Sequence, residues 1–238
     1  MTWSIIARDE HDHFGVAIAS RFFAVGALCA HTRRGVGAIS TQALMNPLYG
    51  PAGLDLLAQA HNAADTVAKL IAGDDGRDQR QLHVLPLSGP GAAHTGAACI
   101  DWCGHLLLDG LSVAGNMLAG PRVIEATAEA YADHKGRPMA ERLLAAMDAG
   151  EAAGGDKRGK QSAALRIHAD EDYLQLDLRV DDHEEPLQEL RRLYEKSLER
   201  FQPFAECLPG RTRPAGVTQR ALIDAHIERF HAQRRGVA

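Results

Sequence analysis

The sequence predicts an α+β fold in which mainly antiparallel sheets pack between layers of helices. Two observations lead to this class. Strand patterns come in groups joined by turns too short to contain a crossover helix, which argues against a doubly wound parallel sheet. Helical patterns follow these groups in pairs, as expected when helices cover sheets. With 238 residues, the chain is long enough for one large domain with a substantial core.

The N-terminal part predicts a hairpin followed by a third strand. Residues 2–8 are rich in apolar side chains and begin almost at the terminus, and residues 14–19 repeat the pattern. The five polar residues between them, 9–13, are suited to a hairpin connection. Residues 35–42 are the third strand candidate.

The next segment predicts the first helix pair. Residues 46–51 have turn composition, and Pro51 stands where it can open a helix. Apolar residues then recur with helical spacing across 51–72, interrupted near 61–64. We therefore expect two short helices here.

The middle of the chain predicts a second group of strands and a second helix pair. The short strand candidates are residues 82–87, 91–95, 104–108 and 111–116. The helices are expected at 119–134 and 139–149, the latter introduced by Pro138.

The C-terminal part begins with a glycine-rich, charged loop at 150–159. Residues 161–168 and 173–180 then alternate like two strands of a hairpin, and residues 187–201 have an amphipathic helical pattern. The predicted division is a main domain of residues 1–201 and a short helical extension of residues 202–238.

Composition narrows the classes of partner and location. The net charge is -5 at pH 7, so the chain lacks the basic character of nucleic-acid-binding proteins. No stretch is apolar enough to span a bilayer, and the first residues do not have the pattern of a secretory signal. We expect a cytoplasmic protein with reduced cysteines, bound neither to nucleic acid nor to a membrane.

Several runs of residues follow one another as they do in a known family. These runs are residues 2–5, 35–38, 41–42, 115–118, 149–156 and 158–165. On them the chain resembles the family called domain of unknown function 1028, over about residues 2–193. That family is grouped with the N-terminal-nucleophile (Ntn) hydrolases. The resemblance implies a four-layer αββα sandwich and a reaction class, but it does not imply a substrate.

The resemblance makes Thr2 the candidate nucleophile. An Ntn hydrolase uses the side chain of its first residue as nucleophile and its own α-amino group as base, so Met1 must be removed. Threonine is small enough for the general Met-removing aminopeptidase. A hydroxyl needs a base, and an α-amino group with a pKa of about 7.7–8.0 is partly neutral near pH 7. The alternative is that Thr2 merely begins an edge strand.

Other residues are candidates for completing such a site. Asn116 stands at a strand end, where its amide could stabilise an oxyanion or cap the next helix. Ser20 ends the second strand, where it either orients the amine of Thr2 or is an exposed terminus. Thr41 and Gln42 are candidates for lining the same cleft, or are ordinary strand residues.

Two further residues are substrate-binding candidates, and one expected group is missing. Asp156 and Ser162 lie in the glycine-rich loop and the strand after it, where substrate contact competes with simple solvation. The third-strand region offers Arg33 and Arg34 where several Ntn enzymes have a lysine. Because arginine does not release a proton at neutral pH, proteasome-like chemistry is disfavoured.

The sequence contains two groups of potential metal ligands. They are His94, Cys99, Cys103 and His105, and Asp177, Asp181, Asp182 and His183. The first group lacks a familiar zinc spacing, and Arg179 within the second favours local ion pairs. We therefore expect no metal and no cofactor.

The predicted function is hydrolysis of a small amide or peptide-like bond with Thr2 as nucleophile. The expected partner is a small-molecule substrate, and a homo-oligomer is compatible with the sequence. Two alternatives stay open: a catalytically silent Ntn-fold protein that binds a ligand or oligomerises, and a metal-dependent hydrolase using the aspartate and histidine groups.

Overall fold

Two antiparallel β-sheets and a set of helices make up the computed structural model, which describes residues 2–236. The strands are β1 (Thr2–Arg8), β2 (Phe14–Ser20), β3 (Ala30–Arg33), β4 (Gly37–Ala43), β5 (Arg80–Pro86), β6 (Ala92–Thr95), β7 (Trp102–Leu108), β8 (Leu111–Leu118), β9 (Ser162–His168) and β10 (Leu176–Val180). The helices are α1 (Val25–Cys29), α2 (Tyr49–Ala58), α3 (Ala63–Ala72), α4 (Arg122–Asp133), α5 (Met139–Ala152), α6 (Pro186–Glu199), α7 (Phe201–Ala205) and α8 (Arg220–Arg234), with a 3-10 turn at Arg77–Gln79.

The first sheet has six strands in the order β10-β9-β2-β1-β8-β7, and the second has four in the order β3-β4-β5-β6. Every pairing within the two sheets is antiparallel. The β1–β2 hairpin is closed by Asp9, whose Oδ1 accepts hydrogen bonds from the backbone N–H of His11 and His13 at 2.9 and 3.0 Å. An aspartate that bonds the backbone ahead of it is a common way to fix a turn.

Alternation along the strands gives each sheet two buried faces. On the faces between the sheets, Ile6 and Val16 from the first sheet pack with Ala38 and Leu85 from the second. On the opposite face of β1, Trp3 lies against α5, where a Cβ at Gly150 would stand 2.7 Å from Trp3 Nε1. Only glycine permits that approach, so Gly150 fixes how closely α5 approaches the sheet.

Helices pack on the outer face of each sheet. In the first sheet, α4 packs against β8, and α5 packs against β2. In the second sheet, α2 packs against β4 and α3 against β5, through a cluster that includes Ile39, Leu54, Val67 and Leu82. Along each strand, the residues that contact the helices alternate with residues that contact the other sheet. Both sheets therefore have apolar contacts on their two faces.

The fold class is confirmed as mixed α+β with two antiparallel sheets. The hairpin, both helix pairs and the later strands occur close to their predicted positions. The sequence interpretation missed α1, β3 and α7, and the predicted third strand begins at Gly37 instead of residue 35. The missed elements are only four or five residues long, too short for a periodicity to be recognised.

The chain divides into two compact units, one ending at Leu190 and the other beginning at Arg191. Within the second unit, Cys207, Ile223 and Ile227 form a small apolar cluster with Val217. The predicted boundary after residue 201 stays a prediction. Across the described residues, no helix has the length and apolarity needed to cross a bilayer.

Candidate functional site

A row of polar residues crosses the first sheet at the end where β1 begins. Thr2 pairs with Ser20 of β2 on one side and with Asn116 of β8 on the other, and Ser20 pairs in turn with Ser162 of β9. Residues directly opposite each other in antiparallel strands project to the same face. All four are buried, so the fold places four polar side chains side by side in a region shielded from water.

The side chain of Thr2 has a hydroxyl partner. Its Oγ1 lies 3.0 Å from Oγ of Ser20, and either atom can donate. Thr2 is 5% exposed and Ser20 is fully buried. The predicted start of the mature chain at Thr2 concerns Met1, which lies outside the described residues, and it stays a prediction.

The carbonyl oxygen of Thr2 is approached by two side-chain amides from different sheets. Gln42 Nε2 and Asn116 Nδ2 each lie 3.4 Å from it. The same two nitrogens donate to Oε1 of Gln81 at 2.7 and 3.0 Å. Gln81 itself is oriented by donating from Nε2 to the carbonyl oxygen of Gly115 at 2.9 Å. The structure thus brings Thr2 and Asn116 together with Gln42 from the second sheet.

A fully buried histidine lies deeper in the same network. His83 Nε2 is 2.8 Å from Oγ of Ser4, and His83 Nδ1 is 2.8 Å from Oγ of Ser112. The hydroxyl of Ser4 donates to Oε1 of Gln42 at 2.7 Å, which leaves His83 Nε2 to donate and Nδ1 to accept. Burial, with a smaller contribution from the charge of His105, lowers the pKa of His83 to about 3. The imidazole is therefore neutral and holds Gln42 in place through Ser4.

Sequence reasoning missed Ser4, Gln81, His83 and Ser112. Ser4 stands two residues after Thr2 in a predicted strand, and His83 lies among apolar residues of another. A polar residue at an inward position of an apolar strand is a signal that could have marked both, because it needs a partner when buried. Their meeting depends on packing between two sheets, which no local pattern records.

Two of the predicted substrate-binding residues anchor loops in the structure. Thr41 faces away from the Thr2 network, since its neighbour in β4 faces towards it, and its Oγ1 accepts from the backbone N–H of Asn46 at 3.3 Å. Ser162 Oγ donates to the carbonyl oxygen of Phe22 and accepts from the N–H of Val25 at 3.1 Å. These hydroxyls stabilise the segments that follow β4 and β2.

Asp156 lies across the end of the first sheet beside Thr2. Its carboxylate is fully buried and accepts from the backbone N–H of Arg21 at 3.2 Å and of Arg158 at 2.8 Å. Its backbone forms a β-bridge with Leu118. Since Arg21 follows β2 and Leu118 ends β8, the Asp156 loop connects the two strands that flank β1. In this arrangement the carboxylate holds the loop closed.

A cavity of about 740 Å³ opens next to this loop. Its lining residues are Arg21, Gly159, Lys160, Gln161, Asp182, His183 and Glu184. Lys160 is held there by Glu151 and Glu185, at 2.9 and 2.6 Å from its Nζ. The cavity adjoins the end of β2, one residue beyond Ser20.

The first group of potential metal ligands is not gathered into a site. His94 Nε2 lies 2.9 Å from the carbonyl oxygen of Arg77, and His105 Nδ1 lies 3.0 Å from Oγ1 of Thr95. Burial raises the pKa of the Cys99 thiol, which disfavours the thiolate a metal would need. Within residues 2–236, no cluster of three or more histidine, cysteine, aspartate or glutamate side chains has the geometry of a metal site.

The acidic group is likewise divided among other partners. Asp177 Oδ2 pairs with Arg166 at 3.0 Å, and Asp181 Oδ2 pairs with Arg179 at 2.8 Å. Asp182 accepts from Gln161, and Nδ1 of His183 accepts from the backbone N–H of Glu185. The predicted ion pair with Arg179 is present, so this group has no arrangement that supports the metal-dependent alternative.

Comparison with known proteins gives one family match. The model of DUF1028, described as a family of unknown function, matches residues 2–190. Among solved structures, the chain is similar to the crystal structure of a DUF1028 protein from Silicibacter pomeroyi, with 29% identity, a TM-score of 0.84, and coverage of 92% of this chain and 96% of that one. A distant likeness to Anbu, the ancestral beta-subunit, from Yersinia bercovieri has 14% identity, a TM-score of 0.39, and coverage of 87% and 98%. No curated protein matches the sequence.

Proposed function

The chain belongs to the DUF1028 family, and we propose that it is an Ntn-type hydrolase that cleaves a small amide or peptide-like bond with Thr2 as nucleophile. One observation carries the proposal: the hydroxyl pair of Thr2 and Ser20, with Oγ atoms 3.0 Å apart, stands beside amides that contact the Thr2 carbonyl. A strand that merely begins at residue 2 requires no such set of buried polar partners. Buried polar groups are costly unless they are hydrogen-bonded, so the arrangement suits a reactive residue held in place.

The layering of the fold supports the same proposal. Helices α2 and α3 cover the second sheet, α4 and α5 cover the first, and the two sheets face each other through Ile6 and Leu85. We infer from these contacts the four-layer αββα arrangement of Ntn hydrolases. The strand that begins at Thr2 lies inside the first sheet, with β2 and β8 on its two sides.

The proposed reaction begins once Met1 is removed. The neutral α-amino group of Thr2 takes the proton of Oγ1 as Oγ1 attacks the carbonyl carbon of the substrate amide. Ser20 orients the hydroxyl during this step. The tetrahedral intermediate collapses when its C–N bond breaks, and the leaving amine takes the proton from the ammonium of Thr2. Water then hydrolyses the ester on Oγ1 with the same amine as base, which releases the acid and restores the enzyme.

Asn116 is the proposed oxyanion donor. One of its N–H groups is firmly engaged with Gln81 at 3.0 Å, whereas the other reaches the Thr2 carbonyl only at 3.4 Å. The longer contact is the weaker one, so a developing oxyanion can replace the Thr2 carbonyl as the acceptor of that N–H. Gln42, Gln81 and His83 act through other groups and are positioning residues.

A covalent probe tests the nucleophile without knowledge of the substrate. A β-lactone should acylate Thr2 in protein that begins at residue 2, and intact mass with peptide mapping should place the adduct there. Thr2→Ser should be labelled and Thr2→Ala should not. An adduct elsewhere, or none on protein confirmed to begin at Thr2, refutes the proposal.

A catalytically silent ligand-binding protein is the second candidate. In its favour, Thr2 is only 5% exposed, and both N–H groups of Asn116 already have protein partners. The same labelling experiment separates the two candidates, because a silent protein gives no adduct at residue 2.

A further inference from the structure

Large apolar side chains are exposed directly beyond the polar residues of the Thr2 site. Phe22 and Phe23 follow Ser20, and they are 49% and 61% exposed. Leu44 follows Gln42 by two residues and is 60% exposed. Each therefore stands two or three residues beyond a side chain that contacts Thr2.

A fourth apolar side chain completes the set from the other side. Ile100 is 62% exposed, and its carbonyl oxygen accepts from the backbone N–H of Met117 at 3.2 Å. Met117 is the residue after Asn116. Because β2 and β8 run antiparallel to β1, both strands end where β1 begins. The residues after Ser20 and after Asn116 therefore lie beyond Thr2, at the same end of the strands. We call Phe22, Phe23, Leu44 and Ile100 the apolar rim.

A contact between two loops links the segment that carries Phe22 and Phe23 to the segment that carries Leu44. Cys29, in the helix that follows Phe22 and Phe23, lies 3.4 Å through its Sγ from the Sδ of Met45. Met45 is the residue after Leu44. The segments that follow β2 and β4 are therefore in contact.

Backbone hydrogen bonds link the segment of Leu44 to the loop that carries Ile100. The N–H of Leu44 donates to the carbonyl oxygen of Gln79 at 3.1 Å, and the N–H of Ala98 donates to that of Asp78 at 2.8 Å, which brings the loop of Ile100 against the same turn. On the far side, Asp156 connects Leu118 to Arg21, as described above. The loops thus run around the start of β1.

Three charged side chains along these loops form hydrogen bonds with neighbouring groups. Arg80 donates to Asp74 at 3.0 Å, and the carboxylate of Asp156 accepts two backbone N–H groups. Arg21 donates to the carbonyl oxygen of Arg158 at 2.5 Å. Apolar side chains around a small number of polar groups are the usual composition of a small-molecule site.

We propose that the substrate of the Thr2 site has an apolar acyl group, aliphatic or aromatic, that packs on the apolar rim while its amide carbonyl reaches Thr2. The proposal rests on the proposed function and adds the substrate class to it. Contact with the rim should increase kcat/KM by about three- to fourfold for each methylene buried. A carboxylate at the end of the acyl group should remove that gain, because packing a charged group against apolar side chains costs free energy.

The test is a series of coumarin amides whose acyl groups run from acetyl through butyryl and hexanoyl to octanoyl, with succinyl as the charged member. We expect kcat/KM to rise with chain length up to a plateau, and succinyl to fall below butyryl. Phe22→Ser and Leu44→Ser should reduce turnover of the hexanoyl amide about tenfold and leave the acetyl amide unchanged. The matched control is Leu108→Ser, since Leu108 is 48% exposed at the opposite end of the sheet, and it should change neither.

The outcomes separate this proposal from the proposed function. If a β-lactone labels Thr2 but turnover is flat across the series or best with succinyl, the apolar acyl proposal is wrong and the nucleophile stands. If Thr2 is not labelled and no amide is cleaved, both fail. Light scattering of the same variants adds one more outcome. If Phe22→Ser and Leu44→Ser turn a dimer into a monomer, a second copy of the chain covers the rim, and the substrate proposal is overturned.

Discussion

The side-chain amides of Gln42 and Asn116 reach the carbonyl oxygen of Thr2 at the same distance, 3.4 Å, although they come from strands of different sheets. Both also donate to the same oxygen, Oε1 of Gln81. Residue 2 is therefore held from two sides by groups of the same chemistry. The pair offers a matched comparison, since in the proposed mechanism only Asn116 stabilises the transition state.

We first predict that the two amides differ in kinetic effect. Asn116→Ala should lower kcat by about 100- to 1,000-fold, the usual cost of losing one oxyanion donor. Gln42→Ala should cost much less, because it removes only a contact that positions the Thr2 carbonyl. The measurement is kcat for a cleaved amide, with the rate of β-lactone labelling as a second readout. Equal losses in both variants would mean that Asn116 is a positioning residue as well.

The second prediction concerns Thr2 and Ser20. Thr2→Ala should abolish turnover while lowering the free energy of unfolding by only about 1 kcal/mol, the usual contribution of one hydrogen bond. Ser20→Ala should retain part of the activity, because it orients the nucleophile without reacting. Urea denaturation alongside turnover checks both. If Ser20→Ala is as inactive as Thr2→Ala and equally stable, Ser20 has a direct chemical role.

The sequence predicts the Ser20 and Asn116 side of this site but not Gln81 and His83, and the reason is physical. Ser20 returns to Thr2 because a hairpin with a short connection sets its register locally, and the sequence contains both strands. Asn116 ends a strand whose apolar pattern is clear, and β8 then pairs directly with β1. Gln81 and His83 come from the second sheet. Their approach depends on how two sheets pack, which strand periodicity does not encode.

The difference between local strand pattern and contacts of distant segments also explains the roles of Thr41 and Asp156. The sequence predicts that Thr41 and Gln42 line the same cleft, but alternation along β4 sends the two side chains to opposite faces of the strand. The sequence predicts Asp156 in a loop, with solvent or substrate as its expected partner. Its carboxylate is instead buried by a closure between β2 and β8, a contact between distant parts of the chain.

The third prediction is a pH dependence of stability that arises from His83. Its pKa is about 3 in the fold, because the ring is buried, and about 6.5 in the unfolded chain. Between these values only the unfolded chain binds the proton. The contribution of His83 is therefore complete above about pH 6.5 and is lost as the pH falls below it.

The measurement is the free energy of unfolding between pH 5 and 7, a range above most carboxyl titrations. The slope of the native protein should exceed that of His83→Gln by up to about 1.4 kcal/mol per pH unit at the acidic end, which corresponds to one proton. His31 and His168 also have lowered pKa values, from causes that do not include His83, and they contribute equally to both proteins. Identical slopes would show that His83 is solvated or protonated in the folded state.

The fourth prediction tests whether Asp156 closes the loop over Thr2. Its buried carboxylate accepts from the N–H groups of Arg21 and Arg158, and an asparagine there would turn an NH₂ group towards one of these donors. Asp156→Asn should therefore lower the free energy of unfolding by about 1.5–3 kcal/mol, the range for hydrogen bonds to a charged group. The control is Asp181→Asn, since Asp181 is exposed and paired with Arg179, where the expected loss is below about 1 kcal/mol.

The kinetic side of this prediction distinguishes a structural anchor from a substrate contact. If Asp156 only holds the loop, Asp156→Asn should slow β-lactone labelling of Thr2 and amide turnover by the same factor, whatever acyl group the substrate has. If the carboxylate binds substrate, KM should rise for some amides and stay constant for others, while the labelling rate stays unchanged. Because the side chain is fully buried and is engaged by two backbone N–H groups and by the guanidinium of Arg158, 3.5 Å away, we expect the first result. Selective changes in KM with normal stability would assign Asp156 to substrate binding.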